Sequence, residues 1–198
     1  MGNAVTVHLI RHEKTKANLE RKYIGWTNES IYIQTANCQV PIHTKDVFGS
    51  DLKRCIETAQ LYFPEAKYHP FFQLRELHFG DFEMKTYDEL KDNPAYRQWI
   101  DSPEKAAPPN GESFVSFKER ILNCFHQIVS CGGEYVFVVH GGVIRVILSK
   151  FQKEKSFQDV IAQHRMIYTL CWDDIESLKG GRECNQLLEA PIMVNENL

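Results

Sequence analysis

Two apolar runs in this chain end on a histidine, and that pairing limits its possible folds more than any other feature. Ala4-Val5-Thr6-Val7-His8-Leu9-Ile10 leads into Arg11 and His12, and Tyr135 to Val139 leads into His140, Gly141 and Gly142. The first run is β-rich and the second, Tyr-Val-Phe-Val-Val, is apolar throughout, the pattern of strands buried on both faces of a largely parallel sheet. Ligands of such open sheets collect where the strands end. An arginine beside one histidine and a glycine pair after the other add charge and close backbone approach. The ligand implied is a small anion, phosphate before others.

With 198 residues, 43% of them hydrophobic and 25% charged, the chain can bury one good core. The expectation is a single domain over residues 1–198. A formal net charge of −3 without a long block of like charge argues against nucleic acid or a membrane surface as the main partner. Cys38, Cys55, Cys124, Cys131, Cys171 and Cys184 form no close pair of the kind that builds a zinc knuckle or a redox dithiol, so reduced thiols are expected. No basic leader with a long apolar stretch opens the chain and no segment is long enough to span a bilayer, which predicts a cytoplasmic protein. Met1 to Thr6 fits the loose N-myristoylation pattern, yet the first strand begins almost at once and so short a pattern often matches by chance.

Asp46 to Gly49 reads as a short strand, followed by a helix from about Leu52 to Tyr62 that Ser50 or Asp51 can cap and Pro64 stops. Lys67 to Pro70 is a brief strand, and Phe71 to Leu74 an extended approach to Arg75-Glu76. From about 78 to 111 the composition shifts to Asp, Glu, Lys, Pro and aromatics, which predicts an inserted lid with short helices around Tyr87 to Leu90 and Tyr96 to Ile100. Glu112 to Cys131 has the apolar spacing of an amphipathic helix, ended by Gly132-Gly133. A helix over Val143 to Phe151 and a late strand over Ile167 to Asp173 complete the pattern. The tail from Leu178 gives no clear element.

A phosphate ester arriving at the strand ends needs positive donors for its nonbridging oxygens, and the planar guanidinium of Arg11 supplies two N–H bonds at once. A neutral imidazole at His12 can attack phosphorus in line with the departing oxygen, giving a phosphohistidine that water later hydrolyses. The leaving alkoxide then needs a proton, for which Glu76 is the candidate acid, with Asp81, Glu83 and Glu112 as competing carboxylates. His140 and the Gly141 N–H would bind and polarise the same phosphoryl group. Against these roles stand plainer ones: His140 as a core histidine bonded to backbone, and Arg11 as a salt-bridge partner of Glu57 or Asp51. His8 and His12 are separated by roughly 13 Å on an extended strand, too far to share one ion, so no metal site is expected. His8 reads as a mid-strand residue facing a neighbouring layer. Aromatics such as Phe79, Phe82, Tyr96 and Trp99 can line an apolar pocket or form the lid's own core.

Leu9-Ile10-Arg11-His12-Glu13-Lys14-Thr15-Lys16-Ala17-Asn18 resembles the Arg-His-Gly-x-Thr-x-x-Asn opening of the histidine phosphatase superfamily, also called the phosphoglycerate mutase-like family. Ser50-Asp51-Leu52-Lys53-Arg54-Cys55-Ile56-Glu57-Thr58-Ala59 is similar to its second motif. Gly111-Glu112-Ser113 and Val139-His140-Gly141-Gly142-Val143-Ile144-Arg145 are similar to its third and fourth. Four matches in order cover most of the span from Val5 to Leu148. The resemblance implies an α/β fold, a three-layer α/β/α sandwich with a mainly parallel sheet. It implies His12 as the phosphorylated nucleophile, a phosphate pocket of Arg11, Arg54 and His140, Asn18 as a polar contact, Glu76 as the acid, and no cofactor or metal. Arg54, like Arg11, has Glu57 and Asp51 as alternative structural partners.

Glu13 stands where the family has glycine, adding bulk and a possible negative charge beside a dianion. The stretch from Ser30 to Asn37 is degraded relative to the family, which predicts a reduced helix between the first two strands. Phe82-Glu83-Met84 replaces the frequent Trp-Glu-Gly. Family mutases place Arg directly after the catalytic Glu, whereas Leu77 follows Glu76 here, which favours hydrolysis over mutase-type transfer. The reading is a metal-independent histidine-type phosphomonoesterase acting on a small phosphorylated substrate, similar to α-ribazole phosphatases and broad-specificity relatives. A phosphate-binding regulatory protein disabled by Glu13 is the reading from another class.

Overall fold

β1 (Val5–Arg11) takes the first histidine-bearing run into the interior of a six-stranded sheet. A four-residue helix α1 (Lys16–Leu19), a two-residue strand β2 (Cys38–Gln39), β3 (Asp46–Ser50), α2 (Lys53–Tyr62) and β4 (Lys67–Phe71) follow. Tight 3₁₀ turns at Phe72–Leu74 and Gly80–Phe82, then the short helices α3 (Tyr87–Leu90) and α4 (Pro94–Asp101), lead to α5 (Phe114–Ile128). β5 (Gly133–Val139), α6 (Gly141–Phe151), β6 (Met166–Trp172), α7 (Ile175–Lys179), β7 (Gln186–Pro191) and β8 (Met193–Val194) complete the chain. The computed structural model describes residues 3–32, 38–152 and 154–194. The start of the myristoylation pattern, most of the degraded stretch before Val47 and the last four tail residues lie outside them.

The sheet order is β4-β3-β5-β1-β6-β7, parallel through β1 and antiparallel for β6 and β7. Alternation of side chains along the strands divides the core between two faces. Val5, Val7, Leu9, Phe137 and Val139 pack with α5 and α6, while Ile10, Val136 and Val138 pack with Cys55, Ala59 and Tyr62 of α2. Helices on both faces of a mainly parallel sheet are the α/β architecture expected. Val136 to Val139 are fully buried, and each such side chain contributes about 1.5–3 kcal/mol relative to exposure.

The register positions the site. Arg11 pairs with Val139, and the His12 amide donates to the Val139 carbonyl at 2.9 Å. The two parallel strands therefore end together and release His12 and His140 side by side.

Several local expectations change. Neither Ser50 nor Asp51 supplies a side-chain cap for α2, whose N-cap is Leu52; Asn28 Oδ1 instead accepts from the Lys53 amide at 2.8 Å, and Asp51 pairs with Arg75. Phe72–Leu74 is a 3₁₀ turn rather than extended chain. α5 ends at Ile128, before the glycine pair, because Val129 leaves helical geometry with its amide still bonded to the Phe125 carbonyl. α6 begins at Gly141. His8 is mid-strand, and its ring bonds Thr169 and Glu134 of the two flanking strands on its face of the sheet. In the 78–111 segment, Phe82, Tyr96 and Trp99 are buried together, their ring centroids 5.4–5.8 Å apart. Phe82 and Tyr96 are thus core, while Phe79 and Trp99 also face a cavity.

Candidate active site

Arg11, His12, Asn18, Arg54, Glu76 and His140 line one small cavity of about 170 Å³ at the carboxyl ends of β1 and β5. The backbone carbonyl of Glu13 lies 2.7 Å from His12 Nδ1. Since a carbonyl can accept but not donate, Nδ1 carries the proton and Nε2 holds the lone pair. Arg54 Nε donates to His140 Nδ1 at 3.2 Å, which leaves the proton of that ring on Nε2. The two imidazoles, 5.2 Å apart between centroids, thus occupy opposite tautomers, one offering a nucleophilic nitrogen and the other an N–H donor. Both are pushed well below the ordinary histidine range, first by burial and then by the positive charge of Arg54, with Arg11 adding to it.

Arg54 is fixed in the α2 register by further bonds to the Gly25 and Thr27 carbonyls, and Arg11 donates to the Ala162 carbonyl at 2.7 Å. Among the described residues neither arginine pairs with a carboxylate: Asp51 holds Arg75, and Glu57 accepts from the Ile31 amide. Arg11 Nε is buried and has no hydrogen-bond partner among the described residues. A buried guanidinium N–H left open beside a second arginine is an anion site by its chemistry. Burial is the main influence lowering the pKa of each arginine from its usual value.

Glu76 enters from the turn after β4. Its carboxylate accepts from the Gly142 amide at the start of α6 and from the Leu77 amide, both at 2.9 Å. A Cβ on Gly142 would lie 2.1 Å from Glu76 Oε1, so the second glycine of the pair is what allows this approach. The Glu76 carbonyl is held by Trp26 Nε1 and by Arg120, which also pairs with Glu112. The competing carboxylates are engaged elsewhere: Glu83 ties down Trp26 and Thr27, and Asp81 accepts from Asn110. Asn18 lines the cavity, but its Oδ1 accepts from Thr15 in a capping box, leaving its amide NH₂ as the group for a ligand.

Glu13 does not face the cavity. It is 2% exposed, with Oε1 accepting from the Tyr62 hydroxyl at 2.5 Å and from Arg165 Nε at 2.8 Å. The non-glycine residues with positive φ among those described are Arg21, Met84, Asn110 and Arg165, so the position of Glu13 requires no glycine conformation.

Sequence reasoning missed His164, whose Nδ1 donates to the His12 carbonyl at 2.6 Å. Burial, reinforced by Arg11, brings its pKa down to about 3. It also missed Thr58, whose hydroxyl accepts from the Glu13 amide, and Arg120. His164 lies in a loop without periodicity, and Thr58 and Arg120 sit on α2 and α5 at positions whose contacts the helical pattern does not mark. Among the described residues no group of three or more His, Cys, Asp or Glu side chains is placed to hold a metal ion, and no helix is long and apolar enough to cross a membrane.

A larger cavity of about 590 Å³ adjoins the first, sharing Arg11, Tyr23, Glu76 and Phe79. Leu77, Trp99, Phe114, Phe117 and Phe157 give it an apolar, aromatic wall, and Arg145 lies in that wall.

The strand order, with helices on both faces of a mainly parallel sheet, matches the phosphoglycerate mutase-like fold. The chain belongs to the histidine phosphatase superfamily (branch 1), whose family model matches residues 7–175. It is 26% identical over 186 residues to the adenosylcobalamin/alpha-ribazole phosphatase of Salmonella typhimurium, covering 87% of this chain and 90% of that protein. It is 30% identical over 158 residues to phosphoglycerate mutase-like protein 4 of Arabidopsis thaliana, covering 72% and 69%. In fold it resembles the alpha-ribazole phosphatase of Shigella flexneri, with a TM-score of 0.74 at 24% identity over 83% of this chain and 89% of that one.

Proposed function

We propose that this protein is a metal-independent phosphatase that hydrolyses a small phosphomonoester through a phosphohistidine on His12. The observation that carries the reading is the pairing of opposite tautomers: His12 Nε2 is free to attack, while His140 Nε2–H can bind the phosphoryl oxygen. Arg11, Arg54, the Asn18 amide and the Gly141 N–H complete the binding of the nonbridging oxygens. Glu76, held at the mouth of the chamber, gives its proton to the departing oxygen and then accepts one from the attacking water, which cleaves the P–N bond and restores neutral His12. The family membership supports phosphatase or phosphoryl-transfer chemistry, and the relatives' names make an alpha-ribazole phosphate a natural first substrate to try.

Hydrolysis of p-nitrophenyl phosphate in the presence of a chelator tests the reading. Turnover should resist the chelator and fall about 10³-fold or more in His12→Ala. Turnover that survives in His12→Ala, or that the chelator abolishes, refutes it. No turnover by the native chain with recovery in Glu13→Gly would instead mark a disabled, phosphate-binding regulator.

A further inference from the structure

The turn that carries the nucleophile, Arg11-His12-Glu13, is held residue by residue by a segment before β6, Ile161 to Arg165, that is neither helix nor strand. The Ala162 carbonyl accepts from Arg11 Nη1 at 2.7 Å, His164 Nδ1 donates to the His12 carbonyl at 2.6 Å, and Arg165 Nε donates to Glu13 Oε1 at 2.8 Å. Among the described residues the Ala162 carbonyl is the one hydrogen-bond partner of the Arg11 guanidinium. A phosphate-binding fork is thus aimed by the backbone of a loop.

A segment without periodic hydrogen bonds keeps such a geometry only if it is fixed from outside. The Tyr168 hydroxyl fixes the first half, donating to the Ile161 carbonyl and accepting from the Gln163 amide, both at 2.8 Å. The second half turns on Arg165, whose φ of 58° lies in the left-handed region that disfavours a residue with a Cβ. It stays there because its side chain is bonded to Glu13 and its carbonyl accepts from the Ile192 amide at 2.8 Å. Glu13 is anchored in turn by the Tyr62 hydroxyl and, through its amide, by Thr58, both on α2. Its side chain is 3% exposed and that of Arg165 is 41% exposed, so loss of the cation leaves a charge that water does not reach.

We propose that Arg165 and Glu13 form a latch that presses the 161–165 segment onto the nucleophile turn, and that Arg165 is a positioning residue for the phosphoryl chemistry, acting through Ala162 on Arg11 and through His164 on His12. The proposal rests on the reading of the smaller cavity as the phosphoryl site. It gives Glu13 a role that glycine cannot fill: the carboxylate is the fixed post against which the strained turn closes. Opening the latch lets the Arg11 guanidinium and the His12 backbone shift. That weakens contacts to the transferring phosphoryl group more than contacts to a bound phosphate.

The test compares three variants with the native protein. Arg165→Gly suits the left-handed backbone and removes the cation, Glu13→Gln keeps an acceptor for Tyr62 and removes the charge, and the third variant combines them. Calorimetry gives the affinities for inorganic phosphate and for orthovanadate, which adopts the trigonal-bipyramidal geometry of the transferring group. These are set beside kcat and KM on p-nitrophenyl phosphate, under conditions where urea titration shows each variant folded. Arg165→Gly should bind vanadate about tenfold more weakly and phosphate about twofold or less, and should lower kcat about tenfold with KM little changed. Glu13→Gln should show smaller losses of the same kind, the double variant should be no worse than Arg165→Gly, and Arg165→Lys should recover part of the loss. A vanadate-specific loss in a native protein without p-nitrophenyl phosphate turnover would support the latch while removing the phosphatase reading. A merely structural pair would lower the urea midpoint and leave kcat and the ratio of vanadate to phosphate affinity unchanged in the folded variants, which overturns the proposal. Losses that add in the double variant, or a native protein that binds neither anion, overturn it as well.

Discussion

In the chamber around His12 the reactive side chains are tied to backbone: His12 to the Glu13 carbonyl, Arg54 to Gly25 and Thr27, Glu76 to the amides of Leu77 and Gly142. In the adjoining vestibule the walls are aromatic rings, and Arg145 is held by no hydrogen bond or ion pair among the described residues. Strand ends and a helix start build the first; the 78–111 segment, α5 and the Phe157 loop build the second. Groups that must meet a reacting phosphorus need fixed geometry, and rigid elements supply it. Groups that choose a leaving group need shape and can be exchanged without disturbing the chemistry.

The comparison breaks if changes in the chamber behave like changes in a binding wall. The largest effect is expected from Glu76→Gln, which keeps the shape but removes the proton donor. Turnover of alkyl phosphates should fall about 10²–10⁴-fold, with a smaller fall for p-nitrophenyl phosphate, whose leaving group departs without a proton. Equal losses for both esters would remove Glu76 from the acid role.

A second consequence of burying histidines around the chamber is pH-dependent stability. His12, His140 and His164 are held neutral, the last with a pKa of about 3, against an unfolded value near 6.5. Below about pH 6.5 the unfolded chain binds protons that the folded one refuses, so stability is present above that pH and is lost as pH falls toward the folded values. The loss is at most about 1.4 kcal/mol per pH unit for each histidine. Urea midpoints measured from pH 7.5 to 5 should fall accordingly, and His164→Asn should flatten the slope; a flat profile in the native chain would mean that these rings are hydrated.

The smallest effects sharpen the comparison at its edge. Glu13→Ala leaves the Tyr62 hydroxyl without its acceptor and frees Arg165, costing about 1–3 kcal/mol in a denaturant titration. Glu13→Gln should cost less, because its amide oxygen still accepts. Glu13→Gly should not raise turnover, since the carboxylate already points away from the chamber. A gain in turnover would show that Glu13 reaches the ligand after all.

The chamber was legible in the sequence because strands buried on both faces give long apolar runs, and His12, Arg54, Glu76 and His140 sit in ordered motifs around them. Gly142 was visible as part of a pair, but its need to admit Glu76 appears in the three-dimensional contact. His164 and Arg165 follow no period; their importance comes from a loop that folds back on His12 and Glu13 across more than 150 residues. β7 was hidden because it is an edge strand with mostly exposed residues, so apolar and polar positions do not alternate.

The central claim is that His12 carries the phosphoryl group. Rapid acid-free quenching of the native protein with a radiolabelled phosphomonoester, followed by peptide mapping, addresses it directly. The expected result is an acid-labile, alkali-stable label on the peptide containing His12, absent in His12→Ala and accumulating in Glu76→Gln. A label on another residue, or turnover with no trapped phosphoenzyme in either the native protein or Glu76→Gln, would contradict the account.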